Sequence, residues 1–225
     1  MNKGKVSGIG SYKKLITSFL GHVKEILKQI NQNREPTVIT SAYITKWWII
    51  TTTLGWLIGF VLVILLALAA DALGGGVQVI VGIGMGAGVG FAQGWFLRRW
   101  LDSPWPWMWV STIGMGIPFL FLDLTHLFGM NLPNSLWIYV PIGGLVVAFF
   151  QSKLLHRITD DTWPWIFYSV LGWTLPVLLM AVGDEFKSLG VFGGFLSIGV
   201  MFLGGVLLGA VTVKAIKLYI QEPKI

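Results

Sequence analysis

The sequence predicts an all-α polytopic membrane protein, with six transmembrane helices arranged as three parallel two-helix hairpin repeats, plus an N-terminal amphipathic interfacial helix. Three observations carry that expectation. The chain is 55% hydrophobic and 12% charged, with a mean hydropathy of +0.75 over 225 residues, more apolar surface than a soluble core of this size can hide. It contains six apolar runs that reach or approach the roughly 20 residues needed to cross a bilayer core. One pattern also occurs three times: Trp48, Thr52, Gly55, Trp56 and Gly59; then Trp107, Ser111, Gly114, Met115 and Pro118; then Trp165, Ser169, Gly172, Trp173 and Pro176. Its glycines recur about every 58 residues, the kind of fixed period that marks a repeat architecture. A second element repeats behind it. Gly86, Gly90, Gln93, Leu97 and Arg98 match Gly144, Ala148, Gln151, Leu155 and His156, and a looser version reads Gly205, Gly209, Thr212, Ile216 and Lys217.

Residues 1–46 form a basic segment of a different kind, carrying Lys3, Lys5, Lys13, Lys14, Lys24, Lys28, Arg34 and Lys46 against Glu25 and Glu35. No apolar run in it is long enough for a secretory signal. From Tyr12 to Ile30, Leu15, Ile16, Phe19, Leu20, Val23, Ile26, Leu27 and Ile30 recur at helical spacing with the lysines mostly off that stripe, which predicts an amphipathic helix. It would lie on anionic headgroups or dock on another subunit or the loops. Residues 31–36 read as a linker.

The transmembrane domain is expected over 47–217, as repeats 47–99, 105–157 and 163–217, with 218–225 as a tail. Its apolar spans run from Ile49 to Ala70, Val77 to Leu97, Trp107 to Leu127, Leu136 to Ser152, Trp165 to Val182 and Val191 to Val213. Glycine is abundant, at 29 residues, and falls inside these spans, where small residues let helices approach closely. Trp47, Trp48, Trp105, Trp107, Trp163 and Trp165 gather at span starts on one side, as an interfacial aromatic belt would. Of the sixteen Lys and Arg residues only Lys187 falls on the opposite side, so the positive-inside rule puts both termini in the cytoplasm.

Gln93, Gln151 and Thr212 occupy equivalent positions about one turn before the basic residues, so a threefold bundle would set them at one depth. They would serve either as interhelical hydrogen bonds or as a polar constriction or ligand site. Pro118 and Pro176 lie roughly 16 Å beyond their tryptophans at 1.5 Å per residue, near mid-membrane. Each clashes with the carbonyl four residues back, that of Gly114 or Gly172, which predicts freed carbonyls at mid-depth, usable for cation binding or simply tolerated by packing. Gly59 stands where the prolines do in the first repeat, so such a site would be asymmetric. Asp71, Asp123, Asp184 and Glu185 fall at the outer ends of the odd-numbered spans, at unmatched offsets, and read as solvated loop acids. Asp123 and His126 share a helix face and could form a coupled pair or half a metal site, although two ligands are too few to specify a metal.

With no cysteine, disulfide, thiolate and Cys-ligated zinc chemistry is excluded. No phosphate-cradling loop, nucleophile elbow or His-Glu-x-x-His motif occurs. A sequence pI near 9.6 follows the topology, so the expected partners are an anionic cytoplasmic leaflet and a membrane protein complex, and not nucleic acid. No cofactor is expected.

The pairing of a Trp-x3-Ser/Thr-x2-Gly-Trp helix, as at Trp165 to Trp173, with a Gly-x3-Gly/Ala-x2-Gln helix, as at Gly86 to Arg99, resembles a group of uncharacterised bacterial multipass membrane proteins. The resemblance covers 47–217 and implies the fold and a membrane location, the bacterial inner membrane. The threefold hairpin order is similar to that of mitochondrial carriers in topology alone, because Phe119 and Leu120 follow Pro118 where that family has its Pro-x-Asp/Glu-x-x-Lys/Arg signature. The expected function is that of a non-enzymatic structural or accessory membrane component, because the span centres hold no ionisable residue. The alternatives are a small-solute or cation transporter or channel, which would use the Gln/Gln/Thr level, and a pigment or hydrophobic-cofactor binder, with His126, Gln93 or Gln151 as ligands.

Overall fold

Each long apolar run forms one helix, because a backbone in hydrocarbon must satisfy its own N–H and C=O groups. A computed structural model describes residues 18–25, 40–72, 77–130, 132–133, 136–185 and 190–221. Most of the expected amphipathic helix, the linker at 31–36, Lys187 and the end of the tail lie outside the described residues, as do the side chains of Asp184 and Glu185. The chain forms two compact units, Met1–Ile39 and Thr40–Ile225. In the first unit, residues 18–25 are helical (α1), with Phe19 and Leu20 exposed.

The second unit consists of α2 (Ser41–Ala72), α3 (Val79–Leu101), α4 (Trp105–Leu127), α5 (Leu136–Leu155), α6 (Trp163–Glu185) and α7 (Gly190–Gln221). All six are long and apolar enough to cross a membrane, and they fit an integral membrane protein. The helices overrun the apolar spans. The backbone N–H of Tyr43 donates to Thr40 Oγ1 at 3.3 Å, so α2 starts eight residues before the first apolar run, and the fully buried Ile44 ties that extension to the bundle. At the other end of the chain Ala215, Ile216 and Tyr219 are buried on α7 beyond Val213. The second compact unit accordingly begins at Thr40. Packing of buried side chains extends a helix past the point where hydropathy ends.

Each helix packs on its successor, and α7 returns to pack on α2, so the six close into a ring. Glycines set the closest approaches. A Cβ on Gly88 of α3 would fall on the backbone of Gly59 in α2, and one on Gly86 would fall on Ser111 and Thr112 of α4. Gly144 of α5 and Gly205 of α7 likewise accept Trp173 of α6 and Trp56 of α2. The helices α4 and α6 continue through Pro118 and Pro176. Both prolines are buried, and the Pro176 ring packs where α7 has Gly204. Large side chains, among them Trp56, Trp173, Phe119, Met85 and Met115, fill the interior.

Candidate functional site

The buried residues of α2 are Ile44, Trp48, Thr52, Gly55, Trp56 and Gly59, so apart from Ile44 the inward face is the repeated motif itself. Spacings of four and three residues place these positions on one helical stripe. Trp48, Trp107 and Trp165 are therefore directed inward, with 0%, 0% and 1% of their surface exposed. This corrects the belt expectation for these three. Of the six expected belt residues, Trp47, Trp105 and Trp163 are the exposed ones. The physical reason is that each buried indole finds a polar acceptor inside the bundle, which removes the cost of taking its N–H away from the interface.

Those acceptors are the residues of the polar level. Trp107 Nε1 donates to Gln93 Oε1 at 3.3 Å, Trp165 Nε1 to Gln151 Oε1 at 3.1 Å, and Trp48 Nε1 to Thr212 Oγ1 at 2.9 Å. In every case the tryptophan begins one hairpin and the acceptor lies on the preceding helix of the ring, α3, α5 or α7. An indole nitrogen can only donate, so the glutamine oxygens must face it and their amide nitrogens must face other acceptors. Gln93 Nε2 donates to Thr52 Oγ1 at 3.3 Å, and Gln151 Nε2 to Ser111 Oγ at 2.8 Å. Ser111 and Thr212 pass their own protons to the carbonyls of Trp107 and Leu208 at 2.6 Å. The Trp165 amide donates to Tyr219 Oη at 2.7 Å, which caps the start of α6. Among the described residues no buried side-chain nitrogen or oxygen lacks a partner.

The indoles also meet one another. The Trp165 ring stands edge-on to Trp107 at 5.3 Å and to Trp48 at 6.1 Å between centroids, and Trp48 meets Phe96 at 5.5 Å. Gln93, Gln151 and Thr212 therefore do not face one another across an open axis, because tryptophans stand at their level.

Beyond this aromatic layer lies a cavity of about 110 Å³ with no polar atom in its wall; Trp56, Met85, Met115, Phe119 and Trp173 are among its lining. Gly114 faces Val147 of α5, and Gly172 faces Leu208 and Thr212 of α7. Both glycines thus serve as helix contacts. Asp123 and His126 have separate partners. The Asp123 carboxylate accepts the backbone N–H groups of Gln78 and Val79, both at 2.8 Å, so it caps α3 from α4. His126 Nε2 is hydrogen-bonded to Leu132 O at 3.1 Å. Asp71 is exposed. Among the described residues no group of three or more His, Cys, Asp or Glu side chains is placed to hold a metal.

The sequence reading missed the tryptophan cluster and Tyr219. The signal for the cluster was present, since each first helix begins with more than one tryptophan, and only Trp48, Trp107 and Trp165 combine a Ser or Thr four residues on with a Gly seven residues on. Nothing comparable marks Tyr219. A scan of family models, a search of curated proteins and a search of solved structures each give no match.

Proposed function

We propose that the chain is a non-enzymatic structural or accessory component of the membrane, built from three copies of one hairpin in cyclic order, with its basic end and both termini in the cytoplasm. The carrying observation is that the polar level is occupied by the chain's own indoles. Gln93, Gln151 and Thr212 spend their acceptor atoms on Trp107, Trp165 and Trp48, so they offer little to a solute. Support for the cyclic order comes from the regularity of these bonds, each running from one hairpin to the hairpin before it, with Trp48 and Thr212 linking the first to the third. The apolar cavity favours the same reading, because a polar solute would lose its hydration there without compensation. At about 110 Å³ it is also well below the roughly 300–1,000 Å³ usual for ligand pockets, which disfavours a pigment inside the bundle.

The test is flux. Protein reconstituted in liposomes is expected to leave the leak of potassium, protons and glycerol at the protein-free level. A protein-dependent flux that rises when Trp107 or Trp165 is replaced by alanine would instead identify the aromatic layer as the gate of a channel.

A further inference from the structure

At the tryptophan end two cavities adjoin between α2 and α3. The first, about 310 Å³, is lined by Arg98, Arg99, Trp47, Tyr43 and Trp95 among others, and among the described residues no acidic side chain lines it. The second, about 250 Å³, continues along the two helices past Leu54, Ile58, Phe91 and Ala92 and is almost wholly apolar. Thr51 and Trp95 border both. The Arg98 guanidinium carbon lies 3.7 Å from the centre of the Trp95 ring, a cation–π contact that holds the charge at the boundary between the cavities. A charged, aromatic upper chamber opening onto a hydrocarbon lower one matches the division of a phospholipid into phosphate and acyl chain.

We propose that this groove between α2 and α3 holds one anionic phospholipid, its phosphate at Arg98 and Arg99 and an acyl chain along Leu54, Ile58 and Phe91. Guanidinium groups match phosphate oxygens in a two-pronged geometry that a lysine cannot reproduce. Two arginines with no lining carboxylate among the described residues make the upper cleft net positive, which favours a headgroup of net negative charge over one that carries its own ammonium. Free phosphate would fill the upper chamber only, whereas the lower one suits a hydrocarbon chain. The proposal rests on the membrane placement given above, with the basic end at the anionic leaflet.

The full chain, purified in a neutral detergent, is titrated with phosphatidylglycerol, phosphatidylcholine and inorganic phosphate while bound species are counted by native mass spectrometry. Phosphatidylglycerol is expected to bind about tenfold more tightly than phosphatidylcholine, with that preference lost in R98Q/R99Q, on the scale of the attraction of two surface arginines. I58W is expected to weaken both lipids by obstructing the acyl chamber. The K153Q/K214Q variant removes two charges of the same end that stand over Phe149 and Tyr168, and should keep the preference. Equal losses in the arginine and lysine variants would reduce the effect to diffuse surface attraction, and competition by inorganic phosphate as strong as by lipid would mark an anion site instead; either result overturns the proposal. A phosphatidylglycerol with a photoreactive tail supplies a readout on the unmodified chain. Labelling of 54–58 or 91–95 supports the groove, and labelling confined to other helices overturns it. Detergent has no sidedness and the titration reads no flux, so failure here is separable from failure of the proposed function.

Discussion

Thr212 is the smallest of the three acceptors and therefore the sharpest probe of the polar level. Replacing it with valine keeps the shape but leaves the Trp48 indole N–H buried without an acceptor, a loss of about 1–3 kcal/mol. Reversible unfolding of T212V in mixed micelles should show that loss, and an unchanged midpoint would mean that Trp48 does not depend on the hydroxyl. For Trp165 and Gln151 a double-mutant cycle of W165F with Q151L isolates the bond itself, with a coupling of about 0.6 kcal/mol and at most about 1.7. The repetition of Trp48, Thr52, Gly55, Trp56 and Gly59 was legible from spacing alone, but that they form the inward face was not. The tryptophans' role was not, because interfacial enrichment makes a belt the default and only the partner helix reveals an acceptor. Asp123 was misjudged for a related reason. Near the C-terminus of α4 it opposes that helix's own dipole, but it complements the N-terminus of α3, and no single-helix argument shows which neighbour an acid will meet.

Among the elements, α3 is gripped on two sides. Gly84 and Gly88 admit α2, while Gly82, Gly86 and Gly90 admit α4. Replacing Gly88 with alanine would put a methyl group into the Gly59 backbone and force the helices apart, an overpacking cost of about 1–3 kcal/mol. The matched control is Gly199→Ala on α7, where no other helix among the described residues comes within 4 Å of the added carbon. Thermal unfolding followed by tryptophan emission should separate the two, with G88A lowered and G199A unchanged or raised. If both fall alike, helix contact is not the reason for glycine at residue 88. The number of helices and their central stretches were legible because length and hydropathy decide them. Their ends were not, since Thr40 as a cap and Tyr219 as a buried contact act through local geometry and tertiary packing, to which hydropathy is blind.

For the whole molecule the decisive interface is the one between α7 and α2, because it turns a row of helices into a ring. A threefold bundle already implies that the third hairpin meets the first, but which of their helices touch, α7 and α2, required the structure. Since α2 begins and α7 finishes at the same end, a circular permutant that starts at Trp105 and joins residue 221 to residue 40 through a flexible linker should retain the ring. Its emission spectrum and elution volume are expected to match the parent, and an aggregated or red-shifted product would show that the native order of insertion is indispensable. The bond from Trp48 to Thr212 spans 164 residues, and that separation imposes a schedule on biosynthesis. Until α7 is in place the Trp48 indole lacks the acceptor it has in the folded chain, so this bond can form only after the last helix has been made.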